Sequence, residues 1–363
     1  IELRRTRQRD RHQLWRRTLS SPLSPRISVL MPAYGEELTI TSSTASILAL
    51  TYPNLEVVVI NDGSADATLE RLIEHFQLVP VHPVYRQVVR TADVQGIYRS
   101  ELEPRLVVVD KVNGGKADAL NVGLNVASGE LVCAIDADTL VAPDALQQLV
   151  APFVSDPGVV AAGGTIRLAN DSAVRGGRIP KLIVPRSWIA GVQAVEYTRA
   201  FLVGRLGWNA LGGNLIISGA FGLFRRSVLL DIGGYEHASV GEDMELVVRV
   251  RRHHYEIGQP AKVVFSPDPV AWTECPESLR TLARQRNRWF RGLLDVLGGQ
   301  RRMILNPRYG TAGTLAMPYF LFVEALAPVV EALGLVIVAV GLALGWYGAS
   351  DVAVVAAANL AGA

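Results

Sequence analysis

Short apolar runs alternate with helix-like segments along residues 27–276. An apolar run bounded by Gly, Pro or acidic residues predicts a buried strand, whereas apolar positions three and four residues apart predict a helix. Strands alternating with helices indicate an α/β fold with a doubly wound, parallel sheet. The predicted strands are 27–31 (ended by Pro32), 55–60, 106–110, 131–135 and 221–224. The predicted helices are 36–50, 66–77, 116–127, 143–150, 186–206, 243–253 and an amphipathic helix from 278.

Acidic residues stand at the predicted strand ends. Asp62 follows the second strand, and Asp136 and Asp138 follow the strand 131–135. Open parallel sheets bind ligands at the carboxyl ends of their strands. A D-x-D pair suits Mg²⁺ or Mn²⁺, because these cations prefer oxygen ligands and share them with substrate phosphates. The alternative is that Asp138 belongs to a turn that caps the helix 143–150.

Further candidates for a nucleotide site lie at neighbouring strand ends. Tyr34 can stack on a base, and Glu36 can accept hydrogen bonds. Asp62 can contact a base or ribose, or it can form a turn or a helix cap. Residues 113–116 resemble half a phosphate loop but lack its first Gly and the Ser or Thr after the lysine, which argues against a nucleoside triphosphatase. Lys116 at a helix N-terminus still suits a phosphate.

Asp243 is the candidate general base, because a carboxylate can take the proton of an attacking hydroxyl. Its alternative is a charge that stabilises the N-terminus of the helix 243–253. On the amphipathic helix, Gln285 and Arg288 can meet a diphosphate, and Trp289 can offer a stacking face for a sugar. No Ser-His-Asp or Cys-His set competes for the chemistry.

Charge and hydropathy point to a membrane rather than to nucleic acid. The formal net charge is +2, yet residues 1–26 carry eight arginines and a second basic segment spans 280–308. Both flank apolar sequence, which is typical of a cytoplasmic membrane face. Residues 332–350 are 19 uncharged positions, enough to cross a bilayer, and 314–331 predicts an interfacial or bent helix before them. The alternative is a buried soluble hairpin.

Two further observations concern the compartment and the extent of the chain. Two cysteines give no disulfide framework, and Cys133 is expected in the core. The sequence begins at Ile1 without a Met and stops inside apolar sequence. We therefore expect a piece of a longer protein with more membrane spans at both ends.

The motifs resemble, in their order, those of the family-2 glycosyltransferases. They are Asn61-Asp62-Gly63-Ser64, Asp136-Ala137-Asp138, Gly241-Glu242-Asp243 and Gln285-Arg286-Asn287-Arg288-Trp289. The resemblance covers about residues 27–310 and is closest to the membrane-embedded processive synthases of cellulose, chitin, hyaluronan and poly-N-acetylglucosamine. It implies a GT-A fold, inverting transfer from a UDP-sugar with Mg²⁺ or Mn²⁺, and export of the polymer through the membrane.

The resemblance also implies a role for each matching residue. Asp243 would be the catalytic base, and Asp136 and Asp138 would hold the metal, with Asp138 as the direct ligand. Nucleotide-sugar contacts are implied for Tyr34, Glu36, Asp62, Lys116, Asp136, Gln285 and Arg288. Acceptor contacts are implied for Ser218, Gly219, Ala220 and Trp289.

Two departures affect the expected product. Asn61 stands where many members carry a first aspartate, and Gly241 stands where cellulose synthases usually carry threonine, which favours a GlcNAc-containing or other non-cellulose product. UDP-GlcNAc or UDP-Glc is the implied donor. The implied partners are the growing polysaccharide, the lipid bilayer and accessory export proteins, with no nucleic acid. The alternatives are a non-processive transferase that glycosylates a lipid carrier and a catalytically silent scaffold.

These expectations divide the chain into four segments. They are a basic juxtamembrane segment (1–26), a GT-A domain (27–276), an interface-helix region (277–312) and a transmembrane region (313–363). The expected location is the bacterial inner membrane, with several spans and the catalytic domain in the cytoplasm.

Overall fold

A computed structural model describes residues 21–348, apart from 22, 83, 174–178, 180, 238, 260 and 347. Most of the predicted basic segment 1–26 and the end of the predicted transmembrane region lie outside the described residues. The strands are β1 (Ile27–Ala33), β2 (Leu55–Asp62), β3 (Leu78–Val81), β4 (Val94–Ser100), β5 (Leu106–Lys111), β6 (Leu131–Ala134), β7 (Leu140–Val141), β8 (Val159–Leu168), β9 (Gly222–Arg225) and β10 (Lys262–Thr273).

Helices pack on the sheet and continue beyond it. The α-helices are α1 (Ile40–Leu48), α2 (Thr68–Phe76), α3 (Lys116–Val126), α4 (Ala145–Ser155), α5 (Trp188–Arg199), α6 (Leu206–Ala210), α7 (Arg226–Asp231), α8 (Glu242–Glu256), α9 (Leu279–Gly299), α10 (Met317–Tyr319) and α11 (Ala327–Ala343). Short 3₁₀-helical turns occupy Arg301–Met303 and Pro307–Tyr309. π-Helical turns occupy Ala200–Arg205, Ala312–Ala316 and Phe320–Ala325.

The strands form one mixed sheet in the order β3-β4-β5-β2-β1-β6-β9-β8-β10-β7. The strands β5, β2, β1 and β6 are parallel, as the sequence predicts, and Val29 lies opposite Val57 and Cys133. The expectation of a wholly parallel sheet is wrong, because β9 runs antiparallel to both β6 and β8, and β4 and β7 are also antiparallel. The α/β class is confirmed, with a mixed sheet.

The first strand does not end at Pro32 as predicted. It continues to Ala33, with Pro32 opposite Ile60 of β2. On its other side, β1 pairs with β6 only as far as Leu30. Proline costs a strand a ladder hydrogen bond, and here it lies where β1 has one neighbouring strand instead of two. The extra length carries the chain towards Tyr34 at the carboxyl edge.

Two hydrophobic cores enclose the sheet, one on each face. One packs α1, α2 and α4 against residues such as Val57 and Cys133, and the other packs α3 and α8 against residues such as Val58 and Val132. The Cys133 thiol is fully buried and free, and burial raises its pKa well above the usual range. It is therefore an inert core residue, as the sequence predicts.

One helical stretch of the described chain, Ala312–Ala343, is long and apolar enough to cross a membrane. It has 32 residues, and only 11% of its most apolar window is buried. The span predicted at 332–350 lies too far along the chain, because the helical stretch already begins at Ala312 and α11 ends at Ala343. Gly345 follows this end with a φ of 72°. π-Helical turns flank Pro318, consistent with the predicted bend. A single such helix does not support the expectation of several spans.

Lys111, at the end of β5, is fully buried and makes two ion pairs. One partner is Asp62 at the end of β2, and the other is Asp118 of α3, whose Oδ2 lies 2.7 Å from the lysine Nζ. The Nζ also donates to the carbonyl of Val112 at 2.6 Å. This buried network joins two strand ends to the first turn of α3.

We expect Lys111→Met to lower the free energy of unfolding by about 3–5 kcal/mol, because two buried carboxylates lose their cation. Chemical denaturation of the purified protein measures the change. Lys262→Met is the matched control, since it breaks the exposed ion pair with Asp156 and should leave the free energy of unfolding nearly unchanged. Equal losses in the two variants would contradict a special role for the buried network.

Candidate active site

Lys116 is the centre of a charged cluster at the carboxyl edge of the sheet. Its Nζ lies 2.6 Å from Oδ1 of Asp136 and 3.4 Å from Oε1 of Glu242. The lysine begins α3 directly after Gly115, whose φ of 85° suits glycine. The structure therefore brings the D-x-D sequence and the Gly-Glu-Asp sequence to one lysine, although 106 positions separate Asp136 from Glu242.

A pocket lies beside this cluster. A side chain at Gly219 would come within 3.6 Å of the Asp243 Cβ and 3.8 Å of the Lys116 Nζ. The small-residue passage thus approaches the candidate base closely. Residues that line the pocket include Lys116, Ser218, Gly219, Tyr235, Glu242 and Asp243.

Opposed charges control protonation in the cluster. Burial alone would lower the pKa of Lys116, but Asp136 and Glu242 outweigh it and raise that pKa above its ordinary value. Burial raises the pKa of Glu242, and the charge of Lys116 opposes this effect. Lys116 therefore remains a cation across the physiological pH range.

The D-x-D carboxylates fit a divalent cation. Burial raises the pKa of Asp138, and the charge of Asp136 raises it further, although part of the Asp138 side chain reaches solvent. Like charges held close in this way favour a cation. The helix-capping alternative is wrong, because Asp144 occupies the N-cap position of α4. In the described residues, no group of three His, Cys, Asp or Glu side chains has metal-ligand geometry, so the remaining ligands would be substrate or water oxygens.

Asp62 shapes the loop that precedes Lys116. Besides pairing with Lys111, its carboxylate accepts hydrogen bonds from Gly114 N–H at 3.0 Å and Gly115 N–H at 2.8 Å. It does not cap α2, which has Ala67 at its N-cap. The implied nucleotide contact of Asp62 stays a prediction, and the structure adds a positioning role.

The end of β1 lies on the same side of the sheet as the charged cluster. Tyr34 is 62% exposed, which leaves its ring accessible. The Glu36 N–H donates to Thr68 Oγ1 at 2.9 Å, and the charge of Glu36 is one of those that raise the pKa of Asp138. Glu36 therefore lies near the D-x-D pair, and Tyr34 follows the end of the same strand.

Helix α9 reaches the site through a contact between two glycines. A Cβ at Gly292 would lie 2.7 Å from the Cα of Gly241, so the two backbones touch. Gln285 and Arg288 precede Gly292 by seven and four residues and share its helix face. The backbone contact therefore turns the predicted diphosphate-binding face towards the start of α8. A third core continues the packing between the helices, with Met244 and Val248 against Val296 and Leu297.

The side chains of the Gln285–Trp289 motif differ in their surroundings. The Gln285 Oε1 is buried without a hydrogen-bond partner among the described residues. Arg288 is exposed, and Trp289 is 40% exposed with the guanidinium of Arg286 4.9 Å from its ring centroid. The motif thus presents an exposed arginine and a partly covered indole.

Asp243 lies in the first turn of α8, and its Oδ1 accepts a hydrogen bond from the Met244 N–H at 2.8 Å. The helix-terminus interpretation therefore holds, and it is compatible with a catalytic role because Asp243 also lines the pocket.

The sequence does not predict Arg205, which donates to the Ile216 carbonyl at 3.2 Å. Burial lowers the pKa of Arg205 to about 10, and the charge of Asp243 opposes this shift.

Comparisons with known proteins identify the family. A model described as glycosyltransferase-like family 2 matches residues 25–292. The chain belongs to glycosyltransferase family 2. Poly-beta-1,6-N-acetyl-D-glucosamine synthase of Staphylococcus epidermidis is 30% identical over 75% of the chain and 55% of the relative. The synthase of the same name from Staphylococcus aureus strain COL is 29% identical over 84% of the chain and 62% of the relative.

The family assignment agrees with the fold, which is GT-A-like. A mannosyltransferase from Pyrobaculum calidifontis, solved in complex with GDP-Man and Mn²⁺, superposes with a TM-score of 0.57. The match covers 90% of the chain and 82% of the other protein at 22% identity, so it supports the fold alone. The chain spans a little over half the length of the curated synthases that it matches.

We expect Gly292→Ala to lower the free energy of unfolding by about 1–3 kcal/mol, because the new methyl group would overlap the backbone of Gly241. Chemical denaturation measures the loss. Gly298→Ala is the control in the same helix, since a Cβ there meets nothing within 4 Å and alanine favours helix by up to about 1 kcal/mol. A Gly292→Ala variant as stable as Gly298→Ala would show that the close contact is absent in solution.

Proposed function

We propose that this chain is the catalytic part of a processive, inverting synthase that polymerises a β-linked polysaccharide from a UDP-sugar. UDP-N-acetylglucosamine is the first donor to test. The observation that carries the proposal is the pairing of Lys116 with Asp136 and Glu242 beside a pocket that Asp243 also lines, in a family-2 chain. Relatives of the chain are named poly-β-1,6-N-acetylglucosamine synthases. Gly241 in place of threonine supports the same donor.

The proposed reaction is a single in-line displacement. Asp243 takes the proton of an acceptor hydroxyl, and the resulting oxygen attacks the anomeric carbon of the donor sugar. The bond between that carbon and the diphosphate breaks, and UDP leaves. Lys116, held as a cation by its two carboxylates, and the exposed Arg288 stabilise the negative charge that develops on the diphosphate.

Asp136 and Asp138 would hold Mg²⁺ or Mn²⁺, with Asp138 as the direct ligand. When bound, the cation supplies charge neutralisation for the leaving diphosphate. Tyr34, Glu36 and Asp62 complete the nucleotide side of the site, with Gln285 beside Arg288. On the acceptor side, Ser218, Gly219 and Ala220 would line the passage beside Asp243, and Trp289 would offer an indole face to the sugar.

The apolar helix Ala312–Ala343 supports a membrane location for the enzyme. We propose that this helix crosses the bacterial inner membrane and that the sheet domain lies on the cytoplasmic side. Arginines are frequent in α9 and the turns after it, as expected beside anionic lipid headgroups. Export of the polymer through the membrane is part of the same proposal.

Release of UDP by the purified protein in detergent or nanodiscs tests the function. UDP-sugars are offered singly and in pairs with Mg²⁺ or Mn²⁺, and the product is sized on a gel. Long polymer from UDP-N-acetylglucosamine alone is the expected result. Short lipid-linked product would favour a carrier-glycosylating transferase, and absence of UDP release from every donor would favour a silent scaffold.

We expect Asp243→Asn to reduce turnover at least about 100-fold, because the variant cannot accept the hydroxyl proton. UDP binding, measured by calorimetry, should stay within about threefold of wild type, since the nucleotide contacts are unchanged. Asp295→Asn replaces an exposed aspartate of α9 and serves as the control. Normal turnover in Asp243→Asn would remove this residue as the base.

We expect Asp138→Ala to weaken metal-dependent UDP binding by about 10–100-fold, as losses in metal sites usually do. Binding is measured by calorimetry with and without Mn²⁺. Asp156→Ala is the control, because Asp156 precedes β8 and therefore lies at the amino ends of the parallel strands, away from the D-x-D pair at their carboxyl ends. If the Mn²⁺ dependence of Asp138→Ala equals that of wild type, Asp138 is not a ligand.

A further inference from the structure

One ion pair links the motif helix to a helix that the motifs do not include. Arg286 of α9 donates from Nη1 to Oε1 of Glu196 at 2.7 Å and from Nη2 to Oε2 of the same carboxylate. Glu196 belongs to α5, about ninety positions earlier in the chain. Two parallel hydrogen bonds fix the plane of the guanidinium as well as its position.

The same guanidinium lies over Trp289. Its Cζ is 4.9 Å from the indole centroid, within the range of a cation–π contact. Arg286 and Trp289 are three residues apart on α9, so their side chains are neighbours. With its plane fixed by Glu196, Arg286 covers one face of the indole, while the Trp289 side chain as a whole stays 40% exposed.

Helix α5 is itself held firmly, so Glu196 is a stable anchor. Gln193, one turn earlier in α5, is buried and donates to the Pro276 carbonyl at 2.8 Å. Pro276 lies just before Ser278, whose side chain caps the N-terminus of α9. The two helices are therefore tied at the start of α9 and again at Arg286.

We propose that Glu196 is a positioning residue of the acceptor site, acting through Arg286 to hold Trp289 with a single face open to the incoming sugar. The inference rests on the proposed function, because it requires Trp289 to contact the acceptor. Glu196 acts through Arg286 and does not itself contact the substrate. Its carboxylate restricts the rotamers of Arg286, and Arg286 restricts those of Trp289.

The test is the affinity of the full chain for a short β-1,6-linked N-acetylglucosamine oligosaccharide in the presence of UDP and Mn²⁺. Glu196→Gln removes the charge and keeps the shape of the side chain. We expect oligosaccharide binding to weaken about two- to fivefold, the effect of losing an exposed cation–π contact. The KM for the UDP-sugar and the melting temperature should not change, whereas a purely structural role would shift the melting temperature instead.

Glu103→Gln is the matched control. It breaks another two-bonded pair between arginine and glutamate, with Arg105, in the turn before β5. The exposed fractions of the side chains are similar, 37% and 25% against 37% and 38% for Arg286 and Glu196. Loss of acceptor affinity in both variants would overturn the proposal, because it would reflect a general effect of losing a surface charge.

A double-mutant cycle tests whether the effect passes through the indole. In a Trp289→Leu background, Glu196→Gln should weaken oligosaccharide binding no further, since the two changes then remove one shared interaction. Additive losses would show that Glu196 acts elsewhere. Binding is measured directly, so the cycle can be completed even if Trp289→Leu has no turnover.

The outcomes separate the two proposals. If the wild type releases UDP and Glu196→Gln binds the oligosaccharide with wild-type affinity, the positioning role is wrong and the proposed function stands. If the wild type releases UDP from no UDP-sugar and does not bind the oligosaccharide, the proposed function fails and the positioning role fails with it.

Discussion

The geometry of the site depends on Lys111, whose side chain is fully buried. Lys111 joins the ends of two parallel strands to the first turn of α3 through Asp62 and Asp118. Asp62 then holds the N–H groups of the glycines immediately before Lys116. The fully buried Lys111 thus sets the position of the half-buried Lys116 beside the pocket. Breaking such a buried pair is costly, so the loop has one stable arrangement.

A second constraint ties the two halves of the site together. Helix α9 touches the start of α8 backbone to backbone, through Gly241 and Gly292. Arg286 binds Glu196 of α5 one and a half turns earlier in the same helix. One side of the site is therefore built from strand ends, and the other side is built from a helix held at several points along its length.

The sequence predicts the carboxyl edge of the sheet well, because the apolar runs of its parallel strands end at the polar residues that lie along that edge. It does not predict β8 or β10. Gly163 and Gly164 in β8 suggest a turn, yet the ring of Phe221 fills the space that a side chain at Gly164 would need. In β10 the residues around Pro269 interrupt the pattern, and the structure accommodates them as a register shift between Phe265 and Val270. The sequence also does not predict the ion-pair partners of Lys111, since Asp62 is 49 positions away.

The balance of charge in the pocket has a consequence for the order of binding. Four carboxylates, from Asp136, Asp138, Glu242 and Asp243, surround one lysine in and beside the pocket. Burial raises the pKa values of Asp138 and Glu242, and the neighbouring negative charges add to the increase. A nucleotide diphosphate arriving alone would be repelled by these charges. A diphosphate already paired with a divalent cation would not be repelled, so under the proposed function the donor would bind as its complex with the cation rather than as the free sugar nucleotide.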